Sequence, residues 1–302
     1  MSSTPLCPIM LGHNAFFGVD HLSAARGAER AAHFSDPKRI MATIDEAVAH
    51  GAGGMMMSTH ERAGPIADLI VANPSLAKDF RIYPLLPYAQ KYVTRSNEVG
   101  MVNVVLEMLQ GTSMSGMINL FTSGVKAVVA KDINAVLSAV MQVELKPFAK
   151  LNVPAVFLHD AFTDLALAFG MRDVFEFYID EMKKTYGATG AFATKNLPTF
   201  LARFKEWGLP RPVVMTHFNK VGYHMNPDRE SCEKATAEFD VSILAMGSLA
   251  SGFLKPDEAY AYLGKVQNID GVVVGASSPA HIRETFGAIK ANMPRLGLQV
   301  AA

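Results

Sequence analysis

Short apolar runs alternate with amphipathic stretches along the whole chain. Nine runs read as strand candidates: 8–11, 54–58, 81–86, 125–130, 154–159, 190–194, 212–217, 241–246 and 271–276. They carry almost no polar alternation, which is the pattern of parallel strands covered on both faces. Between them the spacing predicts helices over 37–50, 65–78, 97–110, 133–149, 171–186, 197–207, 228–238, 256–264 and 279–290. The first of these puts Ile40, Met41, Ile44 and Val48 on one face. Asp36 stands ready as its N-cap, Pro37 suits the first helical position, and Gly51 suits its end.

An unbroken series of strand and helix implies a parallel sheet. At 302 residues, the expected architecture is a single-domain α/β (β/α)8 TIM barrel over 1–302, since such barrels run to about 250 residues or more. Nine candidates exceed eight strands. The surplus falls on 81–86 or 125–130, so an insertion or extra βα unit is expected within about 80–130. The stretch 87–124 is long and irregular, with GTSMSG at 111–116.

Composition narrows the function. Half the residues are hydrophobic and 19% are charged, enough for a large core. Basic and acidic residues balance at 28 each, which argues against a nucleic-acid backbone or an anionic membrane as the main partner. A small-molecule substrate is the expected partner, and a homo-oligomer is compatible with the methionine-rich composition. Cys7 and Cys232 form no CxxC or Cys/His pattern and read as reduced thiols of a cytoplasmic protein. The N-terminal MSSTPLCPIM lacks the layout of a signal peptide. No apolar run reaches the ~18 residues of a membrane span.

In such a barrel, functional residues stand where strands end and helices begin. Those positions hold His13 and Asn14, Ser58 to Arg62, Tyr88, Lys131 and Asp132, His159 and Asp160, Lys195 and Asn196, His217, Asn219 and Lys220, Ser248 and Ser277. His159, Lys131, Lys195, His217 and His60 are the catalytic candidates; histidine and lysine suit proton transfer, and a desolvated lysine suits imine formation. Each also has a structural reading, as a satisfied histidine or an ion-paired lysine. His13, His60, His159 and His217 could surround a metal, but no HxH or HExxH spacing is present, so no metal ligand is assigned. In GVVVGASSPAHIRET, Gly275, Ser277 and Ser278 lead into a helix at Pro279. Free N–H groups and the helix dipole there form an anion site. Gly247, Ser248 and Gly252 in AMGSLASGFL supply a second small-residue loop.

These last segments carry a resemblance. SILAMGSLASGFL and GVVVGASSPAHIRETFGAI resemble the final two strands of the aldo/keto reductases, and ATKNLPTFLARFKEWGLPRPVVMTHFN resembles the family's fifth and sixth strands. LGHNAFFGVDH and EAVAHGAGGMMMSTHERAG are similar to its first two units. The resemblance spans about 7–64 and 150–291, and 65–124 departs from it. It implies a barrel that binds NADP, with Asn196, Ser248, Leu249, Gly275, Ser277, Ser278 and Glu284 at the cofactor. His159 matches the family's histidine, and Lys131 matches its lysine if AVVAKD is the third strand. The family's catalytic aspartate falls on Ser58 and its tyrosine on Ala63. The Ser-Asn pair that holds the nicotinamide carboxamide becomes Lys195 and Asn196, the glutamine becomes Met215, and the ring-packing aromatic becomes Met246.

Four functions therefore stand open. The first is an aldo/keto-reductase-like enzyme using NADP on a small carbonyl or phosphorylated substrate. The second is a lyase, isomerase or hydrolase whose former cofactor loops hold a substrate phosphate. The third is metal-assisted hydrolysis, and the fourth is a non-catalytic binding barrel.

Overall fold

A computed structural model describes residues 6–20, 22–88 and 133–297. Eight parallel strands close a barrel in sequence order. They are β1 (Ile9–Leu11), β2 (Gly54–Met57), β3 (Arg81–Leu86), β4 (Ala155–Leu158), β5 (Thr189–Ala193), β6 (Val213–His217), β7 (Ser242–Met246) and β8 (Ile269–Val274). The described helices are α1 (Ala24–His33), α2 (Pro37–Ala49), α3 (Ala63–Ala72), α4 (Pro74–Asp79), α5 (Ile133–Glu144), α6 (Asp160–Ala168), α7 (Arg172–Tyr186), α8 (Leu197–Glu206), α9 (Arg229–Glu238), α10 (Pro256–Leu263) and α11 (Pro279–Asn292).

Strand alternation divides the core in two. Inward positions Met10, Met56, Tyr83, Phe157, Ala191, Met215 and Leu244 fill the barrel. Their neighbours Ile9, Leu11, Met55, Met57, Val156, Phe192, Val214 and Ile243 pack outward beneath the helices. Both faces are therefore dry, as the continuous apolar runs predict. Gly54 has a structural cause: a side chain there would bring its Cβ to 2.2 Å from the Arg81 carbonyl oxygen. Among the described residues, no helix is long and apolar enough to cross a membrane.

The strand count resolves. β3 is Arg81–Leu86, and it pairs directly with β2 and with β4. All eight places in the ladder are filled without 125–130, which lies outside the described residues, as does 97–110. The additional chain expected within about 80–130 thus falls in the connection from β3 to β4.

Several boundaries moved for local reasons. The helix expected over 65–78 is two, because Asn73, extended at ψ 104, precedes Pro74 and its side chain caps the second helix; a residue before proline is forced out of the helical region. The last strand sits two residues earlier than expected. The helix α6 follows β4 with almost no connection, so no loop signal announces it. Cys7 and Cys232 are free and buried, and burial pushes each thiol up to about 11.

Candidate active site

Every barrel strand delivers polar side chains to the same end. Inward phase explains much of this. Residues 157, 193 and 215 point into the barrel, and continuing the two-residue period leads to His159, Lys195 and His217. The βα connections after the strands then add His13, His60, Tyr88, Ser248 and Ser277.

His159 is the N-cap of α6. Its Nδ1 lies 2.8 Å from Oδ1 of Asp160, and the other carboxylate oxygen lies 3.0 Å from Lys195 Nζ. Asp160 thus bridges the ends of β4 and β5. Its burial alone would raise the carboxyl, but the His159 and Lys195 partners outweigh burial and hold it well below the usual carboxylate range. The backbone N–H of Ala161 also approaches Nδ1, at 3.2 Å. The carboxylate contact is shorter and charge-assisted, so we assign a proton to Nδ1. The reactive nitrogen of His159 is then Nε2. Beneath this pair, Asp164 accepts from Thr194 Oγ1 and from the Lys195 N–H, and burial raises its carboxyl. A cavity of about 300 Å³ opens beside it, between α6 and α8, lined by Asp164, Leu167, Lys195, Asn196, Thr199 and Asn226.

The β1–β3 side is aromatic. His13 is buried, and its Nδ1 lies 3.2 Å from the Met56 carbonyl. A carbonyl only accepts, so Nδ1 carries the proton and Nε2 is a lone pair. Burial brings this imidazole down to about 4, with His60 and His159 adding like-charge opposition. These three histidines therefore share one mouth. The His60 ring stacks on Phe17 at 4.4 Å and meets Tyr88 edge-on at 6.3 Å. Burial lowers the His60 imidazole. The Arg62 N–H donates to its Nδ1, which leaves Nε2 as the protonated nitrogen of the neutral ring. Burial raises the Tyr88 phenol.

Glu144 and His224 escaped sequence reading. Glu144, the last of α5, is 1% exposed. Its Oε2 accepts from Thr59 Oγ1 and, at 3.2 Å, from the Tyr88 N–H. It ties together the loops that carry His60 and Tyr88. A glutamate at a helix end gives no sequence signal for this. Arg62 has the opposite outcome: its guanidinium is spent on the carbonyls of Phe16, Ala31 and Phe34.

On the β6–β8 side, His217 packs against the Cα of Gly247. A Cβ there would lie 2.5 Å from the His217 ring, and Gly247 has φ +63. Ala250, Ser251 and Gly252 follow with φ of 46, 58 and 90. Their N–H groups are used within the turn itself: those of Ala250 and Gly252 donate to the Gly247 and Leu249 carbonyls, each at 2.9 Å. The buried Ser248 Oγ has no hydrogen-bond partner among the described residues. Leu249 packs its side chain with Ala250 and Leu254. His224, also unforeseen, takes φ 58 and brings its ring to 5.2 Å from His217. Asn219 is structural, clamping the Tyr223 backbone through both amide atoms. Lys220 pairs with Glu258.

At β8, Gly275 is exposed, Ser277 is half-buried, and Ser278 caps α11 by accepting from the His281 N–H. Asn196 likewise caps α8. Glu284 is exposed on α11. No group of three or more His, Cys, Asp or Glu side chains among the described residues is placed to hold a metal ion, so His13, His60, His159 and His217 do not converge as ligands.

No family model and no curated protein matches the sequence. Solved structures do match. PA4992 of Pseudomonas aeruginosa, assigned as an aldo-keto reductase, superposes with a TM-score of 0.58 at 13% identity, covering 95% of this chain and 90% of its own. The aldo-keto reductase AKR11C1 from Bacillus halodurans, in its holo form, gives 0.54 at 10% over 96% and 90%. An aldo/keto reductase from Brucella melitensis gives 0.51 at 10% over 94% and 93%. The chain has the fold of the aldo-keto reductases.

Within the aldo-keto reductase fold, the match of Lys131 to the family's lysine fails. It required AVVAKD to be the third strand, whereas the third strand is Arg81–Leu86 and ends before Pro87 and Tyr88. Lys131 itself lies outside the described residues. At the aspartate and tyrosine positions, Ser58 is buried and donates to the Leu85 carbonyl, and Ala63 is buried in α3. Neither can give a proton to a substrate.

Proposed function

We propose that this chain is a reductase-like barrel enzyme that holds NADP along the β7 and β8 loops and acts on a small carbonyl substrate at the histidine side. The observation that carries this reading is the His159–Asp160–Lys195 chain at the mouth. With Nδ1 held by the Asp160 carboxylate, Nε2 is the nitrogen left to exchange a proton with an oxygen that is gaining charge. His60, neutral and protonated at Nε2, can polarise the same oxygen without donating fully. Buried His13 stays uncharged, which keeps the pocket from accumulating three positive rings. Together they take over the task that Ala63 cannot perform.

The residues fit the cofactor unevenly. At the anion end two features support the fit: a buried hydroxyl at Ser248 without a partner among the described residues, and the capped turn 275–278. Bound NADPH would supply the reducing equivalent. At the nicotinamide end, Lys195 is engaged by Asp160, and Asn196 by its cap. Met215 and Met246 offer thioethers, which give soft apolar contact rather than hydrogen bonds.

A second reading has its own support. Buried Ser58 and Ala63 remove the family's proton donor, while the mouth keeps several protonatable rings. The same groups would then serve isomerisation or lyase chemistry on a substrate whose phosphate sits in the β7 and β8 loops. The test is NADPH oxidation followed at 340 nm over a panel of aldehydes, ketones and phosphorylated carbonyls, with wild-type protein and His159→Gln. The reductase reading expects turnover that His159→Gln lowers by about 100-fold. Substrate consumption without NADPH oxidation would transfer the assignment to the second reading.

A further inference from the structure

The helix α6 is inverted. Its polar residues Thr163 and Asp164 are turned inward, bonded to the Leu158 carbonyl and to Thr194. Every exposed residue of the helix is apolar: Ala161, Phe162, Leu165 and Ala168, followed by Phe169 at its C-cap. The three large side chains are 38%, 56% and 73% exposed. A surface helix normally shows charge to solvent, as α1, α7 and α8 do here. We propose that this face is a homodimer interface, in which α6 of one copy packs against α6 of a second copy about a two-fold axis.

Spacing, rim and size favour a second copy. Phe162, Leu165 and Phe169 recur at intervals of three and four, the seam along which two helices interlock. The flanking Ala161 and Ala168 let the backbones approach. A two-fold axis near Leu165 would set Phe162 against the partner's Phe169. Just beyond Phe169, exposed Arg172 and Glu176 pair at 2.7 Å within one copy. A rim with both signs of charge is self-complementary under a two-fold, whereas a lipid surface would call for a basic excess. The chain's zero net charge removes long-range repulsion between copies. The apolar patch amounts to roughly 300 Å², too small alone but the right core for an interface of about 800 Å² per partner with a polar rim. Because α6 starts at His159 and Asp160, such an interface would also brace the helix that carries the proposed proton donor.

The test is sedimentation velocity of the full chain from about 1 to 100 µM, where interfaces of standard size assemble. Wild-type protein should sediment as a dimer. The Leu165→Glu/Phe169→Glu variant should be a monomer, its dimer dissociation constant raised at least about 100-fold by two buried unpaired charges. Its circular-dichroism spectrum should match that of wild type, since both side chains are exposed in a single copy. Leu165→Cys, beside the axis, should form an interchain disulfide on oxidation, with Cys7 and Cys232 buried and out of reach. A wild-type monomer throughout the range, a dimer that survives both glutamates, or a monomer that floats with phosphatidylcholine vesicles would overturn the proposal.

Discussion

His159 Nδ1 and Asp160 Oδ1 lie 2.8 Å apart at the end of the fourth barrel strand, in consecutive residues that form a helix cap. The pairing fixes the tautomer and orientation of the ring and leaves Nε2 for proton transfer. Asp160→Asn keeps the size and removes the charge. It should lower kcat by about 100-fold or more, because the ring loses the partner that holds its tautomer. Steady-state rates with both proteins check this; an unchanged kcat would reduce Asp160 to a structural cap.

His13 makes stability pH-dependent. Its folded value of about 4 lies below the ordinary value of 6.5. Between those values the unfolded chain binds a proton that the folded chain refuses. Stability present above the ordinary value is therefore lost as the pH falls toward 4, by up to about 3 kcal/mol. Urea unfolding of wild type and His13→Gln across that window should show a steeper acid loss in wild type.

Ser248→Ala should separate binding from stability. A buried hydroxyl without a partner costs about 1 kcal/mol or more. Its removal should leave the unfolding free energy equal or higher, while NADPH affinity falls by about 10-fold. Paired urea melts and ligand titrations measure both. A loss of stability with unchanged affinity would assign Ser248 to the core.

Glu144→Ala removes the acceptor shared by the Thr59 hydroxyl and the Tyr88 N–H, at a cost of about 2 to 3 kcal/mol. The imidazole of His60, followed by NMR, should titrate closer to its ordinary value as its loop loosens and water enters. Glu144→Gln retains a carbonyl acceptor and should recover most of both effects.

The barrel itself was legible because eight buried strands each leave a continuous apolar run, and because Asp36, Asn196 and Ser278 signal helix starts by chemistry that depends only on neighbours. The site was legible in part. His159, Lys195 and His217 reach the mouth because strand phase is a local property, and His60 because it follows directly in the connection after β2. What joins them was not legible. Asp160 stood among the strand-end residues with nothing to mark it as the bridge to Lys195, Glu144 acts across 85 positions on Thr59, and His224 depends on a left-handed backbone that is uncommon outside glycine. The lysine assignment failed for a global reason: which apolar run becomes the third strand is decided by closure of the ladder, and no window of sequence contains that information.

The most direct test of the central claim is calorimetric titration of purified wild-type protein with NADPH and, separately, with inorganic phosphate. A single NADPH site is expected, with a dissociation constant below about 100 µM, weakened about 10-fold by Ser248→Ala. An absence of heat and of thermal stabilisation at about 1 mM NADPH, in folded protein, would contradict it.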